Sequence, residues 1–341
     1  MAIDVTSPRA SSASTAYMLV QVLFLLLIDW QKMVNCNSKI TISVIMACYR
    51  EPSDIVRAAI DSVLSQEGVY VELILILDDP ENASLHSLLL QYSEADPRVK
   101  LLINAENIGL AQSLNKGISV ARAEFIARMD ADDICEPRRL QIQHACLMRE
   151  SLDLIGGQLR VIDDDGQGMY DVRRVPTSAS KVTNALKWNN VVPHPTWFGK
   201  ASVFSEGYRS IACCEDYDFL LRASLRGVRI GNCADVVLKY RMSKSSISRD
   251  NLYRQYLYQV FITRNYRRGK VAEISDADKY VNRKWNIGKD RRYSLANARF
   301  NCILDLLDKR RYAAAPLEFF RLVFTSFAYD LKVLRLLVAS L

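Results

Sequence analysis

Apolar and polar positions fall in alternating blocks along the first half of the chain. Ile42-Ser43-Val44-Ile45-Met46-Ala47 is a short apolar run of buried-strand type. Pro52-Ser53-Asp54 opens a helix that runs to about Gln66. A second buried strand covers Val71 to Leu77, residues 82–95 read as helix, and Val99 to Ile103 is a third strand. A helix follows from Leu110 to Arg122 behind Gly109, then a fourth strand from Phe125 to Met129. Pro137 to Glu150 reads as a helix, and Leu152 to Ile162 as a strand with Gly156-Gly157 inside it. This alternation predicts an α/β fold with a mostly parallel central sheet and helices on both faces. Such sheets bind ligands at the carboxyl ends of their strands. Those ends are polar here: Cys48-Tyr49-Arg50-Glu51, Asp78-Asp79, Asn104 to Asn107, and Asp130 to Asp133. They predict a single polar rim.

The pattern changes after residue 163. Asp163-Asp164-Asp165-Gly166 reads as an exposed turn, because Asp and Gly are turn formers. Residues 178–188 read as a helix, Pro193 to Phe198 as a rigid loop entering a strand, Glu215 to Leu225 as a helix, and Asp235 to Tyr240 as a last strand. Residues 316–341 read as one amphipathic helix. Glu318, Arg321, Thr325, Lys332 and Arg335 fall on one side of its wheel, and Phe319, Phe320, Val323, Phe327, Leu334, Leu337 and Val338 on much of the rest. A membrane interface or the body of the protein is an equally good partner for it, and the same holds for the aromatic-basic stretch Tyr253 to Lys270.

Composition narrows the class. Half of the 341 residues are hydrophobic, enough for a sizeable core. Eight cysteines without a Cys-x-x-Cys, and three histidines, argue against a disulfide framework or a structural zinc site. Reduced, buried cysteines are expected, as in a cytosolic enzyme. Cys213-Cys214 is expected to pack as small hydrophobes. Charge is uneven: residues 1–250 carry 27 basic and 30 acidic side chains, a balance of −3, whereas residues 251–341 carry 18 and 8, a balance of +10. A basic tail suits an anionic surface; a solvated helical face is the plainer alternative. No nucleic-acid recognition fold accompanies it. The apolar run Tyr17 to Trp30 is shorter than the ~20 residues that span a bilayer. A signal h-region, a membrane-touching helix and a misassigned start codon compete to explain it.

The chemistry concentrates in Arg128-Met129-Asp130-Ala131-Asp132-Asp133, which follows Glu124-Phe125-Ile126-Ala127. Three carboxylates at a buried strand end suit a hard divalent cation, and that cation can grip a diphosphate. No glycine-rich phosphate loop is present, which counts against a dehydrogenase or kinase. A second acidic cluster, Glu215-Asp216-Tyr217-Asp218, offers a base.

In this order the motifs resemble those of family 2 glycosyltransferases with the GT-A nucleotide-diphospho-sugar transferase fold, over about residues 40–250. The matching pieces are Ser43-Val44-Ile45-Met46 with Tyr49, Ser62-Val63-Leu64-Ser65-Gln66, Glu72-Leu73-Ile74 through Asp78-Asp79, Asn107-Ile108-Gly109-Leu110-Ala111 with Leu114-Asn115-Lys116-Gly117, the Asp130 region, His194-Pro195-Thr196, and Glu215 to Asp218. The resemblance extends to bacterial polysaccharide-biosynthesis enzymes (hexosyltransferase type, EC 2.4). It implies a catalytic domain at 40–250, preceded by a disordered or apolar extension at 1–39. A basic helical region at 251–341 follows, whose charge and aromatic-basic stretches favour peripheral membrane contact slightly over packing on the catalytic domain. Asp79 would contact the base of a nucleotide, with uridine expected. Asp130 would lie near ribose and diphosphate, and Tyr49, Glu51, Asn107, Arg128 and Arg241 would line the nucleotide-sugar side. Asp132, with or without Asp133, would ligate Mg²⁺ or Mn²⁺. Asp216 would be the general base, with Glu215 and His194 on the acceptor side; His194 has a structural alternative. The implied reaction is metal-dependent, inverting transfer from a UDP-sugar to a hydroxyl of a glycan or lipid-linked acceptor, at the cytoplasmic face of the plasma membrane.

Three departures from the family pattern stand out. Pro80-Glu81-Asn82 replaces the common Gly-Ser after the second strand, Arg50-Glu51 replaces a common Asn, and Ser243 stands where many relatives have His. Arg241, Lys244 and Ser245 remain available to a diphosphate. Two other classes compete: a degenerate transferase fold kept as a scaffold or sugar-binding subunit, and a glycoside hydrolase with paired carboxylates. A hydrolase needs no cation site at a parallel strand end.

Overall fold

In the computed structural model, residues 40–172, 175–242, 251–308 and 315–340 are described. The apolar run Tyr17–Trp30 and the residues Ser243, Lys244 and Ser245 lie outside them. By packing, the chain divides into Met1–Ile40 and Thr41–Leu341, and the second unit holds every strand and helix described.

The predicted alternation is present. Strands β1 (Thr41–Cys48), β2 (Tyr70–Leu77), β3 (Val99–Ile103) and β4 (Phe125–Asp130) are interleaved with helices α1 (Ser53–Leu64), α2 (Ala83–Ala95) and α3 (Leu110–Val120). All pairings among these strands are parallel, in the order β3-β2-β1-β4. Their register sets the functional edge. Cys48 lies opposite Leu77, Leu77 opposite Ile103, and Ala47 opposite Asp130, so the polar segments leave the sheet side by side. Gly117 on α3 lets that helix lie against the sheet: a Cβ there would come within 2.5 Å of Ile45 Cγ2.

Beyond β4 the sheet turns mixed. β8 (Phe198–Lys200) runs antiparallel to β4 and to β6 (Leu154–Ile162), and β6 runs parallel to β9 (Ile230–Arg241). Two strands were not expected. β5 (Ile134–Cys135) pairs with β9 directly after the acidic run, and β7 (Gly168–Val172) forms a hairpin with β6 across the Asp163–Gly166 turn. The last strand also starts five residues earlier than Asp235. Polar Asn232 hides this start in the sequence, yet its Nδ2 is satisfied inside the fold by the carbonyls of Pro176 and Val191. The remaining helices of this part are α4 (Arg139–Arg149), α5 (Ala179–Ala185), α6 (Ala201–Phe204) and α7 (Glu215–Leu225), with a single 3₁₀ turn at His194–Thr196.

Among the described residues the helices that follow are α8 (Leu252–Tyr266), α9 (Ile274–Lys284), α10 (Ile287–Asp308), α11 (Ala315–Val323) and α12 (Phe327–Ser340). The expected single helix over 316–341 is therefore two. Thr325 Oγ1 donates back to the Arg321 carbonyl (2.6 Å), and the Ser326 carbonyl starts the next helix by accepting from Tyr329 and Asp330. The aromatic-basic stretch is α8, and it packs inward: Tyr253, Tyr256, Tyr258 and Tyr266 are buried in the same apolar cluster as Trp197, Tyr217 and Phe219. The seven described cysteines are free thiols, five of them buried. Among the described residues no helix is long and apolar enough to cross a membrane.

Candidate active site

β4 carries the acidic run to the rim, where the chain must turn at once. Carboxylate oxygens of Asp130, Asp132 and Asp133 lie within 4.8 Å of one another. Such crowding needs scaffolding. Beneath β4, Arg139 donates to the Arg128 carbonyl (2.7 Å), and the β5–β9 pairing clamps the residues that follow. On the far side Arg241 is buried. Its backbone N–H donates to Asp133 Oδ1 (2.9 Å), Nε to the Asp132 carbonyl (3.0 Å), and Nη1 to the carbonyls of Asp163 (2.9 Å) and Asp164 (2.7 Å). These bonds use Nε and Nη1 to shape the acidic turn from behind.

Burial, then Asp130 and Glu51, push the Asp132 carboxyl up to about 7. Burial, Asp130 and Asp132 push Asp133 well above the carboxylate range. Asp133 Oδ2 is fully buried and has no hydrogen-bond partner. An all-oxygen set, mutually repelling and with an orphaned buried oxygen, fits a hard divalent cation. Glu51 joins from β1; burial and Asp130 raise its pKa, and the Tyr49 N–H donates to its Oε2 (2.7 Å).

At the neighbouring strand ends, Asp79 pairs with Arg50 (3.0 Å), whose guanidinium also lies over the Tyr49 ring. Asn82 of the divergent Pro80-Glu81-Asn82 caps α2 by accepting from the Leu85 N–H (3.1 Å). Asn107 is exposed and accepts from the Gly109 N–H (3.0 Å), within its own loop. That loop is held by Asp78, which is buried. Its oxygens accept from Asn104 Nδ2 (2.7 Å) and from the N–H groups of Ile108 (3.0 Å) and Gly109 (2.9 Å). Gly109 supplies the left-handed φ of 81° that turns the chain into α3.

The second acidic cluster opens α7. Cys213, at φ 59°, turns the chain sharply into the helix, and Gln255 on α8 donates to its carbonyl (3.0 Å). Asp216 Oδ1 accepts from the Tyr217 N–H (2.6 Å) and Oδ2 from Asn190 Nδ2 (2.8 Å). Burial raises the Asp216 pKa against those bonds and against Arg128. Burial and Asp216 push Glu215 up to about 7. Asp218 turns away, into a buried pair with Arg222 (2.9 Å) and Arg209. His194 Nε2 meets the Tyr208 hydroxyl at 2.9 Å; its ring is packed edge-on to Trp197 and Tyr208, and burial holds its pKa well below the usual value.

Arg128 joins the two clusters. It is 3% exposed and bonded to Asp130. Its charge acts on Asp132 and Asp133 on one side, and on Glu215 and Asp216 on the other. The Tyr208 hydroxyl likewise feels Asp130, Glu215 and Asp216 together. The two acidic segments therefore lie within electrostatic reach of the same buried guanidinium. Sequence reasoning placed Asp78 on the rim without its loop-holding role, and it missed Asn190 and Tyr208. Only Asp78 left a signal, as the first acid after an apolar strand.

The family profile described as "Glycosyl transferase family 2" matches residues 43–207. The E. coli O-antigen biosynthesis glycosyltransferase WbnJ is 32% identical over 216 residues, covering 62% of this chain and 83% of WbnJ. E. coli WfgD, described as a UDP-Glc:alpha-D-GlcNAc-diphosphoundecaprenol beta-1,3-glucosyltransferase, is 28% identical over 237 residues, covering 68% of this chain and 89% of WfgD. Among solved structures, S. aureus TarS 1–349 superposes with a TM-score of 0.53 at 14% identity, covering 87% of this chain and 89% of TarS 1–349, which is a likeness of fold. With most of WbnJ matched at that identity, and with the mixed GT-A sheet and its acid-lined rim in place, this chain belongs to glycosyltransferase family 2 and is a glycosyltransferase.

Proposed function

We propose that this glycosyltransferase moves a sugar, with inversion, from a UDP-linked donor to a hydroxyl of a lipid-linked glycan acceptor in surface polysaccharide assembly. The reading includes dependence on Mg²⁺ or Mn²⁺ and work at the inner face of the plasma membrane. One observation supports it: the buried Arg128, bonded to Asp130, is near enough for its charge to act on Asp216 of the distant second cluster. The donor class is supported by WfgD, which uses UDP-glucose, and by TarS, solved with UDP-GlcNAc and with UDP. The acceptor class is supported by WfgD's diphosphoundecaprenol substrate.

Asp132 and Asp133 would hold the cation, with Asp130 beside them. Bound there, it would offset the negative charge that grows on the departing diphosphate. Arg241 fixes the turn that presents the two ligands. Asp79, Tyr49 and Glu51 line the nucleotide side. Asp216 receives the proton of the acceptor hydroxyl. That oxygen bonds to the anomeric carbon as the bond to the diphosphate breaks on the opposite face. The Asp216 carboxylate is well suited to the task, since burial raises its basicity while Asn190 and the Tyr217 N–H fix its direction. General-base help of this kind is worth ~10²–10⁴-fold. Arg128 offsets part of the acid charge from below.

A donor panel scored by Mn²⁺-dependent nucleotide release tests the reading. UDP release from one donor, lost on chelation, is the expected result. Intact UDP binding without release from any donor would assign the fold a scaffold role instead.

A further inference from the structure

Amphipathic helices normally turn their charges to water and their apolar side to the protein. α12 does the reverse. Arg335 points inward, with Nε donating to the Trp188 carbonyl (2.8 Å) and Nη2 to Thr263 Oγ1 (3.0 Å). Lys332 is folded over the rings of Tyr329 (5.1 Å) and Tyr293 (5.7 Å), and the Tyr329 hydroxyl donates to Asn297 Oδ1 (3.0 Å). The outer side of α11, α12 and the turn between them is left to Phe319, Phe320, Phe324, Phe327, Leu331 and Leu334, with Phe324 75% and Phe327 77% exposed. Isolated surface leucines need no explanation, but a run of exposed phenylalanines on consecutive helices does.

We infer that the outward face of α11 and α12 is a docking surface for an anionic lipid bilayer. It deepens the proposed function by naming the surface at which a lipid-linked acceptor is met, and it rests on that reading for the acceptor alone. Charge selects the occupant. Residues 251–341 carry +10, of which Lys332 and Arg335 turn inward and Arg321 on α11 pairs with Glu318 (2.7 Å); the exposed basic residues Lys289, Arg291 and Arg292 lie on α10, against which both helices pack. A second copy would bring the same sign of charge to the contact, whereas an anionic leaflet attracts it. Aromatic rings flanked by Arg and Lys are the composition of an interfacial helix. The position also suits an acceptor. Trp188, which takes Arg335, is two residues from Asn190, which holds Asp216, so the surface is tied to the loop that aims the base.

Flotation of the full chain with vesicles tests this, using phosphatidylcholine alone or mixed equally with phosphatidylglycerol. The probe variant combines Phe320→Ser, Phe324→Ser and Phe327→Ser, all at exposed positions, and its melting temperature should match the parent's. The parent is expected to float with the anionic vesicles, less at high salt, and the variant to bind them about a hundredfold more weakly. Mn²⁺-dependent nucleotide release without vesicles should be the same in both. Equal flotation of parent and variant, or flotation of neither, overturns the inference. A dimer that the substitutions split, with vesicle binding unchanged, also overturns it and assigns the face to a second copy. Flotation with no nucleotide release from any donor would sink the transferase reading and leave the docking surface standing.

Discussion

The two carboxylate clusters of the cleft are built on opposite principles. Asp130, Asp132 and Asp133 crowd together at one strand end, repel each other, and leave the buried Asp133 Oδ2 without a partner. Asp216 is held by a side-chain amide and a backbone N–H, at the start of a helix whose own dipole favours its charge. Crowding of like charges around an unpartnered buried oxygen is unfavourable until a cation arrives. A single acid with fixed hydrogen bonds is set in direction and free to take a proton. The difference teaches that similar residues acquire different chemistry from what surrounds them, with Arg128 tempering the charge of both clusters.

Experiments can break or sharpen that contrast, beginning with the largest effect. Asp132→Ala should reduce transfer to background at any Mn²⁺ concentration, measured as product formed; activity restored by excess cation would point to Asp133 as the main ligand. Asp216→Asn should lower kcat by ~10²–10⁴-fold. A kcat at the parent level would remove the base assignment. Asn190→Ala leaves Asp216 in place but frees its direction, so a loss of about tenfold in kcat is expected, with KM for the donor unchanged. A change confined to the donor KM would assign Asn190 elsewhere.

The smallest effect concerns stability against pH. Glu215 sits near 7 in the fold against an ordinary 4.5, and Asp132 near 7 against 3.8. Both folded values are raised, so the folded chain holds these protons more tightly than the unfolded chain. The stabilisation is fully present below the ordinary values and is lost as pH rises to about 7. The melting temperature of the cation-free protein should fall by several degrees from pH 5 to pH 8, and Mn²⁺ should restore most of the loss at pH 8. Glu215→Gln should flatten the slope. A melting temperature that climbs over that range would reverse the sign assigned here.

Much of the parallel half was legible because its signals are local. An apolar run ending in acids names both a strand and a rim position, as at Leu77-Asp78 and Met129-Asp130, and parallel register then lines the ends up. The arginine inside Phe125-Ile126-Ala127-Arg128-Met129 was legible as part of the motif; its burial beneath the cleft depends on β4 having covered faces. Asn190 and Tyr208 were not legible. Their partners Asp216 and His194 lie 26 and 14 residues away, across connections that carry no period. Arg241 was legible as a cation near the site, yet not as one committed to carbonyls of a turn 77 and 78 residues earlier. The helical wheel of residues 316–341 assumed one helix, and on α11 Arg321 is exposed together with Phe319, Phe320 and Val323. It could not say which face points inward, because that depends on the Trp188 carbonyl and Thr263 accepting from Arg335.

The most direct test of the central claim, that distant acids divide one reaction across a shared cleft, is calorimetric titration of UDP with Mn²⁺ present, on Asp132→Ala and Asp216→Asn side by side. Asp132→Ala is expected to lose the Mn²⁺-dependent part of UDP affinity, while Asp216→Asn is expected to bind UDP as the parent does with its turnover lowered ~10²–10⁴-fold. Loss of UDP affinity in Asp216→Asn, or parent-like Mn²⁺-dependent binding in Asp132→Ala, would contradict that claim.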